Sequence, residues 1–110
     1  MTTAIIANLE KLLDGPRDNA LLRFSLGNEH LKAGEPALAA TRFSEAVARD
    51  AKFSAAWKLL GKALAESGQT AEALAAYEQG IVVAEAKGDV QAAKEMAVFA
   101  RRLKKQLAGE

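Results

Sequence analysis

Apolar residues recur along this chain at helical spacing, in stretches that glycines separate. From position 90 to 107 the apolar residues share one side of a helix, and cations occupy the other. Gly34, Gly68 and Gly88 follow such stretches, where glycine favours a left-handed helix end. The chain has only two prolines and few β-branched residues. The pattern predicts an all-α protein of about six helices. The apolar side of the last helix comprises Ala93, Met96, Phe99, Ala100, Leu103 and Leu107.

A shift of 34 residues brings small and bulky positions of the chain into register. Leu26-Gly27 falls on Leu60-Gly61, Gly34 on Gly68, Ala39 on Ala73, and Phe43 on Tyr77. These residue types set how closely two helices approach. The agreement in both spacing and residue type indicates an internal repeat.

Both copies resemble the tetratricopeptide repeat, whose pattern is W-x2-L-G-x2-Y, then A-x3-F, then P. The second copy reads Trp57-x2-Leu60-Gly61-x2-Leu64, then Ala73-x3-Tyr77; the first reads Arg23-x2-Leu26-Gly27-x2-His30, then Ala39-x3-Phe43. The departures are Arg23, His30 and Leu64, with Ala51 and Glu85 in the proline places. The resemblance implies a right-handed superhelical stack of antiparallel helix pairs, a TPR-like α-solenoid.

The predicted organisation is one TPR-like domain over residues 1–110. Its parts are a degenerate half-repeat helix (1–19), repeat 1 (20–53), repeat 2 (54–87) and a C-terminal capping helix (88–110). In the first part, Ile5 and Leu9 stand where Ala39 and Phe43 stand in repeat 1, and Asp14-Gly15-Pro16 is expected to end the helix. A polar-faced helix at the end of a repeat stack closes the core.

Glycine inside a helix costs about 1 kcal/mol relative to alanine, so Gly27 and Gly61 require a packing reason. We expect a neighbouring helix to approach closely there, with Ala39 and Ala73 as the facing small residues. Pro36 fits the first turn of a helix. Thr70 is expected to cap the corresponding helix of the second copy, and Asp89 the last helix.

The resemblance implies that the first helix of each pair lines a concave groove, in which a peptide or helix of a partner protein lies. The predicted groove residues are Leu21, Phe24, Asn28, Leu31, Lys32, Lys58, Lys62 and Glu66, with Ala55 and Ala65 beside them. One half of this groove is apolar and the other basic, which suits an amphipathic or acidic segment.

Each of these predictions has a plainer alternative. Leu21, Phe24 and Leu31 are equally explained as core residues covered by the N-terminal helix. The lysines at 58 and 62 are explained as a solvated face. Val98, on the polar side of the last helix, marks either a contact site or an isolated exposed residue. The carboxylate clamp of some tetratricopeptide proteins is not expected, since Asn28 alone matches it.

Composition narrows the function further. The net charge is +1, so no global field attracts nucleic acid, although Arg101, Arg102, Lys104 and Lys105 make nucleic-acid contact a weaker alternative. A self-associating subunit, a homodimer built on the apolar stripe or the last helix, is the other alternative. The leading interpretation is an adaptor or scaffold that binds a protein partner.

No convergent set of reactive groups is visible in the sequence. The chain has no cysteine, and its one histidine, His30, occupies a packing position of the repeat. We therefore expect no enzyme activity, cofactor, metal site or small-molecule substrate. The N-terminus lacks the basic region of a signal peptide, and no apolar run is long enough to span a membrane. The expected location is the cytoplasm.

Overall fold

A computed structural model describes residues 2–109, and the two ends of the predicted domain, Met1 and Glu110, lie outside the described residues. Over residues 2–109 the chain forms six α-helices and no strand, as predicted. Each helix packs mainly on its neighbours in sequence, and α4 also touches α6. The helices are α1 (Thr2–Glu10), α2 (Ala20–Lys32), α3 (Pro36–Arg49), α4 (Ser54–Glu66), α5 (Thr70–Ala86) and α6 (Val90–Leu107).

Three of the connections between helices use the same glycine turn. Gly34, Gly68 and Gly88 have φ values of 74°, 83° and 77°, the left-handed conformation that glycine adopts without steric cost. At the first turn, the N–H of Gly34 donates to the Leu31 carbonyl, and the N–H of Glu35 donates to the His30 carbonyl. This Schellman pattern satisfies the last carbonyls of the helix and reverses the chain within three residues, as predicted.

The helix N-termini follow the predictions in part. Pro36 is the first residue of α3, and the Asp89 side chain accepts a hydrogen bond from the Ala92 N–H at the start of α6. The prediction for Thr70 was wrong, because Thr70 is already the first helical residue of α5 and Gln69 precedes it without a side-chain cap. The helix therefore starts at Thr70 itself, one residue earlier than a Thr70 cap would allow.

The N-terminal helix is shorter than predicted. α1 ends at Glu10, and residues 11–14 form turns instead of a further helical turn. Asp14 takes the left-handed conformation, with φ 64°, so the chain reverses before Gly15. One hydrogen bond stabilises that turn, since the Asp14 N–H donates to the Asp18 carboxylate at 2.8 Å.

Close helix approach occurs at both predicted glycines, but the facing residues differ from the prediction. A Cβ at Gly27 would lie 2.6 Å from the Phe43 ring, and one at Gly61 would lie 2.7 Å from the Tyr77 ring. The predicted partners, Ala39 and Ala73, are fully buried one turn away. Long side chains on a helix lean toward its N-terminus, which brings each ring back over the glycine.

Two buried clusters form the core. One joins α3 to α4 and includes Phe43, which is fully buried; the other joins α5 to α6 and includes Met96. Leu64 packs against both clusters. Trp57 packs against the first, half-buried, and its indole Nε1 donates to the Ala51 carbonyl at 2.8 Å. The stack therefore has a continuous core, with α6 packed on α5 as the closing helix.

Candidate functional site

The first half of the predicted groove, on α2, contains little open space. Phe24 packs against Phe53 and Phe43, with ring centroids 4.7 and 5.7 Å away, and Leu31 packs on the same cluster. Leu21, by contrast, is 61% exposed. Asn28 is half-buried, and Lys32 is exposed and pairs with Glu29 at 3.3 Å. Phe24 and Leu31 thus contribute to the core, while Leu21 projects from it.

The second half of the groove opens into a cavity of about 750 Å³ between α4 and α6. Three of the predicted residues, Lys58, Lys62 and Glu66, line it, so the structure brings them together. Tyr77 of α5 also lines it. The remaining lining residues are Leu59, Ala65, Glu95, Val98 and Phe99. The sequence did not identify four of these residues as part of a site: Leu59, Tyr77, Glu95 and Phe99. It indicated Val98 as a contact candidate but did not assign it to the groove.

An aromatic stack forms one wall of this cavity. The rings of Tyr77 and Phe99 are nearly parallel, at 17°, with centroids 5.5 Å apart. The Arg102 guanidinium carbon lies 5.6 Å from the Phe99 ring centroid, within cation–π range. Burial raises the pKa of the Tyr77 hydroxyl to about 12, and the charge of Glu66 acts in the same direction. Tyr77 therefore stays neutral at physiological pH.

An ion pair crosses from one wall of the cavity to the other. Lys58 Nζ on α4 donates to Glu95 Oε1 on α6 at 2.8 Å. This hydrogen bond holds the pKa of the Glu95 carboxyl below its usual value. Lys58 is therefore neutralised within the chain, whereas the sequence suggested a free cation.

Other cations near the cavity have no such partner. Among the residues that the structure describes, no carboxylate lies within ion-pair distance of Lys62, Lys94, Arg102 or Lys105. Lys104 differs, because it approaches Glu78 of α5 at 3.6 Å. Near the cavity, the cations without an ion-pair partner in the described chain are thus Lys62 and, on α6, Lys94, Arg102 and Lys105.

The family model for the tetratricopeptide repeat matches residues 24–90, more than half of the chain. The chain belongs to the tetratricopeptide repeat (TPR) family. A Pseudomonas aeruginosa protein named TPR repeat-containing protein PA0015 is 50% identical over 99 residues, which cover 90% of this chain and 94% of the relative. The family model covers residues 24–90 only, so the similarity to this relative continues past the matched repeats into α1, α6 or both.

Solved structures agree with this TPR assignment. Protein BPP2914 from Bordetella parapertussis is 40% identical, with a TM-score of 0.79 over 96% of this chain and 92% of that one. A TPR domain protein from Salinibacter ruber is 29% identical, with a TM-score of 0.71 over 82% and 90% of the two chains. The fold supports a generic protein–protein interaction module, and proteins of this family are typically not enzymes.

The first TPR copy carries a charge cluster where the family pattern has tryptophan. The guanidinium of Arg23, which is 6% exposed, contacts Asp18 through Nε at 2.9 Å and Glu45 through Nη1 at 2.8 Å. The hydrogen bond from Arg23 lowers the pKa of the Asp18 carboxyl to about 2. These contacts attach the α1–α2 connection to α2 and α3. In the sequence, the absence of tryptophan at position 23 indicated a departure from the family pattern. It did not indicate which carboxylates Arg23 contacts.

His30 fits the structural interpretation made from sequence. It is 5% exposed, and its Nδ1 lies 3.0 Å from Glu35 Oε1. Within residues 2–109, no three histidine, aspartate or glutamate side chains are grouped so as to hold a metal ion. None of the helices described there has both the length and the apolar character that crossing a bilayer requires.

Proposed function

We propose that this TPR protein is an adaptor or scaffold that binds a peptide or helical segment of a partner protein in its concave groove. The binding site is the cavity between α4 and α6. The observation that carries the proposal is the cavity itself, about 750 Å³ in volume with Tyr77, Leu59 and Phe99 in its lining. Cavities of roughly 300–1,000 Å³ with apolar lining and a few polar groups are typical binding sites.

The exposure of its apolar residues supports this location. Val98 and Phe99 are 42% and 38% exposed, and both face the cavity. On α2, in contrast, Phe24 and Leu31 already pack on the chain's own core. A side chain of the partner would bury apolar surface on α4 and α6 that no part of the described chain covers, at roughly 25 cal/mol per Å².

The groove residues of the first repeat have a smaller part in this proposal. Leu21, Asn28 and Lys32 extend the binding surface along α2, and Phe24 and Leu31 keep α2 in position. Lys58, Lys62 and Glu66 form the α4 wall that the segment meets. A segment of several helical turns contacts both halves, with its anchor in the α4–α6 cavity.

The test compares two variants of α6 in affinity capture from the native cytoplasm. Val98→Ala with Phe99→Ala removes the apolar wall, and Val90→Ala with Leu107→Ala removes exposed apolar side chains of the same helix outside the cavity. We expect the first variant to lose the partner that wild type and the second variant retain. Circular dichroism controls for folding.

Equal capture by both variants would rule out the cavity as the binding site. Sedimentation velocity over a concentration series tests the homodimer alternative on the same samples. A dimer that Val98→Ala with Phe99→Ala disrupts would show that a second copy, and not another protein, occupies the cavity.

A further inference from the structure

We infer that the segment bound in the α4–α6 cavity is acidic and amphipathic, with an apolar side chain against Tyr77 and Phe99 and carboxylates against α6. This inference rests on the proposed function and adds the chemistry of the partner. It depends on where the unpaired charges of the chain lie.

The cations of α6 form one row on the helix surface beside the cavity. Lys94, Val98, Arg102 and Lys105 are all exposed and follow one another at helical spacings of four, four and three residues. We call these four residues the α6 strip. Val98 lines the cavity, so the row runs along its edge. A helix lying beside α6 would meet the apolar cavity and the cations together.

The excess positive charge near the cavity comes from α6. In the lining itself the charges balance, because two lysines (Lys58 and Lys62) match two carboxylates (Glu66 and Glu95), and Lys58 pairs with Glu95. The three cations of the α6 strip are additional to this lining. The net charge of the whole chain is only +1. The excess positive charge of this region thus lies on the α6 strip, beside the cavity. An acidic segment that enters the cavity beside α6 is complementary to the strip.

The two parts of the surface contribute differently. Exposed ion pairs stabilise by about 0–1 kcal/mol each, so the cations alone do not hold a partner. Burial of an apolar side chain in the cavity supplies affinity, and the charges select acidic partners and speed association. Nucleic acid fits less well, because phosphates would leave the cavity unused and Lys104 is engaged with Glu78.

The experiment is selection of 16-residue peptides from a randomised phage-displayed library against the full chain. Selected peptides are synthesised, and their affinities are measured by fluorescence anisotropy at two salt concentrations. Arg102→Glu with Lys105→Glu reverses charge on the strip. The matched control, Lys11→Glu with Lys52→Glu, reverses two exposed cations of the α1–α2 and α3–α4 connections, outside α6. A 20-base-pair DNA duplex is titrated in parallel.

We expect selected peptides to combine apolar residues at helical spacing with an excess of Asp and Glu. Binding should weaken about tenfold in the strip variant, stay unchanged in the control, and weaken as salt screens the charges. Val98→Ala with Phe99→Ala should abolish binding.

Three results would overturn the inference, and they separate it from the proposed function. Peptides that need Val98 and Phe99 but carry no acidic excess would refute the partner's chemistry and leave the cavity as the binding site. Peptides that bind independently of the cavity residues would refute both. Tighter binding of the duplex than of any peptide, lost in the strip variant, would assign the strip to nucleic acid.

Discussion

The two TPR copies share one backbone plan and differ in what lies on their inner side. In the first, Phe24 packs between Phe53 and Phe43, and the inner side of α2 is part of the core. In the second, the equivalent position holds Lys58, and the space beside it is a cavity over Tyr77. The same 34-residue repeat thus provides a filled half that stabilises the stack and an open half, which we propose as the binding site.

Alanine substitutions at Gly27 and Gly61, where neighbouring helices approach most closely, should show this difference most strongly. The Phe43 ring that faces Gly27 is fully buried. The Tyr77 ring that faces Gly61 is only 3% exposed but lines the cavity, so we expect it to shift more easily. We expect Gly27→Ala to lower the free energy of unfolding by about 2 kcal/mol and Gly61→Ala by about 1 kcal/mol or less. Urea denaturation measures both. Equal losses would show that the cavity gives Tyr77 no freedom.

Truncation of an apolar side chain should also cost more unfolding free energy in the filled half than at the cavity. Phe24→Ala removes a half-buried ring that contacts two others, so we expect a loss of about 2 kcal/mol in unfolding free energy. Val98→Ala, at the cavity edge, should cost less than about 0.5 kcal/mol. Thermal and urea unfolding provide the measurement. A large loss for Val98→Ala would indicate that this residue serves the fold and not a ligand.

Acid should weaken the first copy through Asp18. Its pKa is lowered to about 2 in the folded chain from an ordinary 3.8, so its carboxylate stabilises the fold above pH 4. That stabilisation is lost as the pH falls from about 4 to about 2. Asp18→Asn should flatten the pH dependence of the urea midpoint in this range, and Glu85→Gln, at an exposed position of α5, should not. An unchanged slope in Asp18→Asn would show that Arg23 does not hold this carboxylate.

The smallest effect should come from the ion pair across the cavity. Lys58 and Glu95 have side chains 35% and 43% exposed, and exposed pairs contribute little to stability. Lys58→Met and Glu95→Gln, alone and together, should leave the urea midpoint within experimental error. A clear shift that appears in each single variant and is not additive in the double variant would make this pair part of the framework.

The sequence predicted the helices well because their ends depend on local chemistry. Gly34, Gly68 and Gly88 adopt left-handed backbone without steric cost, and Pro36 and Asp89 act within one turn. The repeat spacing then set the order of the stack. The end of α1 was harder to predict, because the turn after it depends on a hydrogen bond between Asp14 and Asp18. Helical periodicity does not reveal that interaction.

The cavity was only half predictable. The α4 wall follows from the 34-residue spacing, but α6 starts 36 residues after α4, where α4 starts 34 after α2. The register of α6 was therefore not given by the repeat, and Phe99, predicted on the core side, instead stacks on Tyr77 at the cavity. The Lys58–Glu95 pair joins residues 37 apart, and no local pattern specifies such a contact.

Chemical-shift mapping of the ¹⁵N-labelled chain with its bound segment tests the central claim most directly. If the open half of the stack is the binding site, the largest amide shifts should fall in residues 58–66 and 95–99, with little change in α1. Shifts centred on α2, or on the side of α5 and α6 away from the cavity, would contradict the account.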